Sequence, residues 1–308
     1  MIKEILAETE KLEAEIAALS DTEEKTATNA GRIREMLAAR NEQLSRCISL
    51  TPEDRVFLAR HPKRPHIDDF IKALFTDFFE QKGDHLYDED RSILGGIARY
   101  KGMPVTIVGH RKGRNMEENM KYNFGMPRPE GYRKALRIMK QAEKFGRPII
   151  TFIDTPGAYP GLEAEEHGQG EAIAQNLAAM STLHVPVIAV VTGEGSSGGA
   201  LAIGVANKLL MLENAVYSVL SPEGFASILW KDSSRSGEAA EVMRLTAGDL
   251  LEAGVADEVI PEPLGGAQTD PERTMASLDI VLEKTLQTLC GLSPEALRQQ
   301  RVEKYRNI

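Results

Sequence analysis

The chain has 308 residues, 42% of them hydrophobic and 27% charged, which excludes disordered, collagen-like and disulfide-scaffold proteins and leaves room for one or two domains with a sizeable core. Its 37 Lys and Arg against 46 Asp and Glu give a net charge of -9, which argues against a protein built to neutralise phosphate backbones; no nucleic-acid partner is indicated. Two isolated cysteines, Cys47 and Cys290, a Glu- and Lys-rich start and the lack of an apolar run of about eighteen residues point away from a metal cluster, a signal peptide or a membrane span, and towards the cytoplasm.

Residues 2–46 carry Ile2, Ile5, Leu12, Ile16 and Leu19 at three-and-four spacing, resumed by Ile33, Leu37 and Leu44 after a break at 26–31, which predicts a helical hairpin. The apolar stripe is narrow, so this arm packs either on its own body or on a partner. Pro52, Pro62 and Pro65 interrupt helix, giving an arm and linker over 1–64 and a folded body over 65–270. Phe70, Ile71, Leu74, Phe75 and Phe78 predict a helix over 68–79, followed by strands at 93–100 and 105–109 around a Lys101-Gly102 turn. Two similar units come next. A helix at 132–144, closed by Gly146, leads through Pro148 into the apolar strand 149–153 and a glycine turn at 157–161. A helix at 171–183 leads through Pro186 into the strand 187–191 and a second turn at 193–199. Short strands at 209–212 and 215–220 precede helices at 225–230, 237–245 and 247–253, and a C-terminal helical extension at 271–308 carries a long helix over 277–290 and a charged helical tail. The alternation predicts an α/β protein with a parallel sheet, its site formed by loops at the strand C-terminal ends.

Six of the seven residues at 193–199 are Gly or Ser, and they stand between an apolar strand and a helix-forming run. The N–H groups of Gly198, Gly199 and Ala200 then lie unpaired at a helix start, an arrangement that holds negative charge developing on a carbonyl oxygen. A glycine turn also serves close helix–strand packing, and that reading stays open. Phosphate binding is a weaker rival, because no Gly-Lys-Ser/Thr follows. Gly195-Ser196-Ser197-Gly198-Gly199 matches a Gly-x-Ser-x-Gly elbow with Ser197 as nucleophile, yet all six histidines precede it; a pairing with Asp154 and His167, or a dyad with Lys208 or Lys231, is what a serine hydrolase would require. Acid/base candidates are few: Glu163, Glu165, Glu166 and His167 fall in a charged loop before a helix. Arg114, Lys121, Arg128, Arg133 and Lys134 make a basic stretch that suits either a phosphate-bearing ligand or carrier segment, or a solvated face.

Five motifs carry a resemblance. They are Asn123-Phe124-Gly125-Met126-Pro127-Arg128-Pro129-Glu130-Gly131-Tyr132; Phe152-Ile153-Asp154-Thr155-Pro156-Gly157-Ala158-Tyr159-Pro160-Gly161; Gly198-Gly199-Ala200-Leu201-Ala202-Ile203-Gly204; Ser221-Pro222-Glu223-Gly224 with Trp230-Lys231-Asp232; and Pro261-Glu262-Pro263-Leu264-Gly265-Gly266. In this order, and along the whole chain, the sequence resembles the α subunits of bacterial acetyl-CoA carboxylase carboxyltransferase. The resemblance implies a crotonase (ClpP/crotonase-like) ββα superhelix with an N-terminal helical arm. It implies an α2β2 assembly with a β subunit that carries acetyl-CoA and a zinc ribbon, this chain having no metal. It further implies transfer of the carboxyl group from carboxybiotin, borne on a biotin carboxyl carrier protein charged by a biotin carboxylase, to acetyl-CoA, giving malonyl-CoA for fatty-acid synthesis in an ATP-using, nucleotide-binding complex. Gly198 and Gly199 are then expected to form the oxyanion hole for the biotin ureido oxygen, with Gly157, Ala158, Tyr159, Gly195, Ser196 and Ala200 around the biotin. The sequence departs from the family pattern at Ser196, where glycine is usual, at His167 and His85, where arginine is usual, and at Gln268, where histidine is usual. The rivals are a stand-alone acyl-CoA hydratase or isomerase of the same fold, which needs a pocket Glu pair, and a non-catalytic scaffold.

Overall fold

The computed structural model describes residues 2–20 and 27–308. The arm is a hairpin of α1 (Ile2–Ser20) and α2 (Ala27–Ser45). Of the expected break, residue 26 lies outside the described residues, while 27–31 is already helix; a single Gly31 costs only about 1 kcal/mol against alanine. At the root of the arm Ile2, Ile5, Leu6, Leu44 and Cys47 cluster with Leu58 of the linker, and Leu6 and Leu44 lie against Gly265 of the body. Arg40 ties the hairpin together through Glu13 at 2.7 Å and reaches the Thr269 carbonyl at 3.2 Å.

Pro52 starts a helix in the expected linker. In α3 (Pro52–Ala59) Thr51 and Asp54 form a reciprocal capping box, and proline sits where its missing N–H costs nothing. The helix expected over 68–79 is a correction. It stops as α4 (Ile67–Leu74), and 76–80 form β1 (Thr76–Glu80), an edge strand paired antiparallel with β2 (Ile93–Tyr100). The aromatic spacing fits both periods, and pairing to the sheet decided it.

The Lys101-Gly102 turn, with φ of +47° and +85°, folds β2 back into β3 (Met103–His110) in unbroken antiparallel register. There follow α5 (Met116–Lys121), α6 (Pro129–Lys144), β4 (Ile149–Thr155), α7 (Leu162–Glu166), α8 (Gln169–Thr182), β5 (Val187–Ser196), α9 (Ser197–Leu201), β6 (Lys208–Leu212), β7 (Val216–Ser218), α10 (Pro222–Trp230), α11 (Ser236–Met243), α12 (Ala247–Glu252), β8 (Glu258–Ile260), α13 (Pro271–Cys290) and α14 (Pro294–Arg306). The sheet order is β1-β2-β3-β4-β5-β6-β8, with β7 beside the end of β5. Strands from β3 onward run parallel, whereas β2 pairs antiparallel with both β1 and β3. The sheet is therefore mixed rather than all parallel, because a two-residue turn permits only an antiparallel return.

Every residue of β4 and β5 is buried, as central strands covered on both faces must be. Leu278, Leu282, Leu286 and Leu289 of α13 and Leu297 of α14 join the same core. Tyr305 on α14 bonds through its hydroxyl to the Ala206 N–H at 3.0 Å and the Gly204 carbonyl at 3.1 Å, just beyond α9. Among the described residues no helix is long and apolar enough to cross a membrane.

Candidate active site

The reversal after β5 is tighter than the composition of 193–199 suggests. Residues 193–196 are strand, because Gly195 pairs with Thr155 of β4 on one side while Glu194, Gly195 and Ser196 pair with Val216, Tyr217 and Ser218 of β7 on the other. The chain must then turn on one residue. Ser197 does so at φ +58°, a left-handed conformation that is uncommon outside glycine, and α9 begins there. Among the described residues the N–H groups of Gly198 and Gly199 meet no acceptor.

The turn after β4 is built differently. Thr155 Oγ1 accepts the Gly157 N–H at 3.0 Å and donates to the Gly157 carbonyl at 2.8 Å, which closes the bend with Gly157 at φ +142°. The Tyr159 N–H donates to the Pro127 carbonyl at 3.0 Å, and Gln169 Nε2 donates to the carbonyls of both Pro127 and Tyr159 at 2.9 Å. Arg128 lies over the Tyr159 ring, 5.0 Å from its centre. The two turns meet backbone to backbone: a Cβ on Gly199 would stand 2.5 Å from the Ala158 nitrogen and from the Gly157 carbonyl carbon, so only glycine fits. A Cβ on Gly198 would meet nothing closer than Ile173 at 3.7 Å.

Of the residues expected around the ligand, Gly198, Ala158 and Tyr159 are half-buried, while Gly157, Gly195, Ser196, Gly199 and Ala200 are buried. The Ser196 hydroxyl is enclosed without a hydrogen-bond partner, so this departure from the usual glycine leaves the open side of the turn unobstructed. His167 is held by Glu130 at 3.0 Å and stacks edge-on with Tyr87. His85 adopts φ +62°, and Gln268 bonds the Gly265 carbonyl at 2.6 Å.

The carboxylates near the turns are committed. Burial alone would push the Asp154 carboxyl up, but Lys112, with Nζ at 2.5 Å, His66 and the Glu194 N–H at 3.1 Å together hold it below the usual range. Glu194 is paired with Arg60 at 2.6 Å, and Glu163 with Arg128 at 3.3 Å. By contrast Glu165 and Glu166, in α7 after the first turn, are exposed and carry no ion pair among the described residues. Among the described residues no imidazole or amine bonds the Ser197 hydroxyl: the candidates Asp154, His167 and Lys208 are paired with Lys112, Glu130 and Asp257, and Lys231 is exposed at the end of α10 without a bond to Ser197. The basic stretch is largely neutralised. Arg114 meets Asp69, Arg133 meets Asp84 at 2.8 Å and Glu130 at 3.0 Å, and Lys134, 1% exposed, meets Glu89. A cavity of about 220 Å³ lies against Asp154 and Lys112, and Ser197 and Pro160, which flank the turn glycines, are exposed. Among the described residues no group of three or more His, Cys, Asp or Glu is placed to hold a metal ion.

A family profile described as acetyl co-enzyme A carboxylase carboxyltransferase-like matches residues 2–308. Proteins named acetyl-coenzyme A carboxylase carboxyl transferase subunit alpha are similar to the chain: that of Geobacillus sp. (strain WCH70) is 54% identical, covering 97% of this chain and 92% of its own length. That of Anoxybacillus flavithermus is 58% identical, covering 88% and 84%. The chain belongs to this carboxyltransferase family. Solved structures extend the likeness in fold. A transcarboxylase 12S hexamer core superposes with a TM-score of 0.57 at 21% identity, covering 76% of this chain and 45% of that one. A subunit of a Pseudomonas malonate decarboxylase hetero-tetramer with coenzyme A gives 0.57 at 16% identity, covering 68% and 84%. The crotonase-type α/β fold expected from the motifs is therefore established, and family membership makes the chain part of a carboxyl-group transferase.

Three features near the turns escape a reading of the sequence: the Thr155 hydroxyl clamp, the buried Asp154–Lys112 pair and His110 at the end of β3. Thr155-Pro156-Gly157 carried a usable turn signal for the first. The other two depend on which strands lie side by side.

Proposed function

We propose that this chain is the α subunit of the carboxyltransferase of acetyl-CoA carboxylase, moving the carboxyl group from carboxybiotin on a biotin carboxyl carrier protein to acetyl-CoA to form malonyl-CoA. Supporting it, beside family membership, is one observation: the unpaired N–H groups of Gly198 and Gly199 stand at a turn pressed against the Gly157–Ala158 peptide. Transfer leaves negative charge on the biotin ureido oxygen. Preorganised N–H donors stabilise such charge without reorganising, and each is worth on the order of 3 kcal/mol of barrier. Gly198, Ala158 and Tyr159 face the ligand in this reading, and Gly195, Ser196 and Ala200 support the turn from behind. The displaced biotin nitrogen takes the methyl proton of acetyl-CoA, so the paired state of Asp154, Glu163 and Glu194 is no obstacle. The open side calls for a second subunit to close the pocket: a β subunit in an α2β2 cytoplasmic assembly, carrying acetyl-CoA and a zinc ribbon. We divide the chain functionally into arm and linker (1–64), transferase body (65–270) and C-terminal extension (271–308).

The test is reconstitution. Purified α and β chains together should decarboxylate malonyl-CoA when biotin is supplied, and neither should do so alone. Failure of the pair, with hydration of an enoyl-CoA by this chain alone, overturns the proposal in favour of a hydratase.

A further inference from the structure

We infer that the C-terminal helix α14 sets the Gly199 donor from behind, with Tyr305 as the positioning residue: its hydroxyl fixes the segment 204–206, to which the end of α9 is tied. The inference rests on the reading of Gly198 and Gly199 as the oxyanion-binding pair.

Unpaired donors cannot hold themselves in place. The Gly198 and Gly199 N–H groups meet no acceptor among the described residues, and α9 has five residues, far fewer than a helix needs to be stable by itself. What orients the Gly199 N–H is the other end of its own peptide. The Gly198 carbonyl lies in the same plane and accepts the Ala202 N–H at 2.9 Å, so a movement of Ala202 turns the donor. Ala202 leads straight into anchored chain. Thr151 Oγ1 on β4 donates to the Ile203 carbonyl at 2.8 Å, and the Gly204 N–H donates to the Leu201 carbonyl at 2.9 Å. Tyr305 Oη donates to the Gly204 carbonyl at 3.1 Å and accepts the Ala206 N–H at 3.0 Å, so one hydroxyl serves the segment in both its roles. Gly204 also packs on α9 itself, since a Cβ there would stand 3.1 Å from the Ala200 carbonyl oxygen.

α14 suits this contact better than it suits core burial. Of its thirteen residues only Leu297 and Arg301 are buried. The rest of its hold is polar, and most of it goes to the chain just after α9. Asn207 Nδ2 donates to the Leu297 carbonyl at 2.9 Å and to Gln300 at 2.8 Å, while Arg301 donates to Asn207 and, at 3.2 Å, to the Val185 carbonyl. Asn207 exchanges two further bonds with Val187, at 2.8 and 3.1 Å, which ties the clasp to the start of β5. Lys304, next to Tyr305, pairs instead with Asp257. The turn is thus held in front by the Gly157–Ala158 peptide and behind by β4 and α14.

The experiment uses the chain co-purified with its β partner. Tyr305→Phe keeps the ring and removes the hydroxyl; Lys304→Ala loosens the same helix and leaves the hydroxyl. In Tyr305→Phe, kcat for carboxyl transfer should fall roughly tenfold with the KM values for acyl-CoA and biotin unchanged, whereas Lys304→Ala should stay within about twofold of the parent. With nitrogen-labelled glycine, the Gly199 amide resonance should move in Tyr305→Phe and stay in Lys304→Ala. An unmoved resonance in folded Tyr305→Phe overturns the positioning whatever the activity. A moved resonance with unchanged kcat overturns its importance for transfer, and an equal loss in Lys304→Ala reduces Tyr305 to a general fastening of α14 and overturns its special role. If Gly199→Val proves fully active, the oxyanion reading fails while the amide shift still reports the coupling, so the two failures are told apart. Should Tyr305→Phe not fold, amide exchange in the parent decides: an Ala202 amide protected as strongly as that of Ala206 supports the inference, and one exchanging as freely as that of Gly198 overturns it.

Discussion

The two glycine turns begin alike and end differently. Each follows a wholly buried central strand and leads to a helix, yet the turn at 157–161 commits the Gly157 and Tyr159 amides to Thr155 Oγ1 and the Pro127 carbonyl, with no acceptor for those of Ala158 and Gly161 among the described residues, whereas the turn at 197–199 leaves the successive amides of Gly198 and Gly199 unpaired. The first is fastened by two of its amides, and the second carries two adjacent free donors. Glycine content does not separate them; the difference lies in what the neighbouring side chains reach.

The sharpest way to break this contrast is Gly199→Val. Its side chain collides with the Gly157–Ala158 peptide and displaces the donors, so carboxyl transfer by the reconstituted pair should fall about 1000-fold, with assembly retained by light scattering. Substantial activity would move the oxyanion hole elsewhere. Next comes acid stability. The His110 imidazole sits at about 4 in the folded chain and at the ordinary 6.5 unfolded, so between these values the unfolded chain binds the extra proton. Stability from this group is complete above about pH 6.5 and is lost as pH falls towards 4, by roughly 3 kcal/mol, and His110→Asn should flatten that limb in urea melts. Asp154, held low, adds its own loss only at still lower pH. Thr155→Val unfastens the first turn and should cost about 2 kcal/mol by chemical denaturation, because it strands the Gly157 N–H. If activity falls in that variant while stability does not, the first turn does more than hold the fold. The smallest effect is reserved for Gly198→Ala, whose Cβ has room and whose N–H remains; its kcat should stay within about tenfold of the parent.

Some of the architecture is legible from local signals. The Lys101-Gly102 hairpin, the strands at 149–153 and 187–191 and the helices before them are set by turn residues and unbroken apolar runs; each is present, with β4 continuing to Thr155 and β5 to Ser196. Helix starts were legible too, though a neglected cue mattered. Thr51-Pro52, Ser221-Pro222, Asp270-Pro271 and Ser293-Pro294 each place a capping oxygen before an N-terminal proline, and α10 and α13 accordingly begin several residues earlier than apolar spacing suggests. Residues 76–80 are strand rather than the expected helix because aromatic side chains at 75, 78 and 79 satisfy both periods until β2 lies alongside. The short strand β8 offers only three residues, too few for any period.

From residue order alone come the apolar strands, the glycine reversals and the family motifs, since these rest on local sterics and spacing. Only the folded chain decided that β7 extends β5 through Ser196 and forces the bend onto Ser197, that Gly199 lies against the Gly157–Ala158 peptide, and that Asp154 meets Lys112. Those facts join residues 22 to 42 positions apart, and hydrogen bonding and close packing across strands, not propensity, bring such residues together.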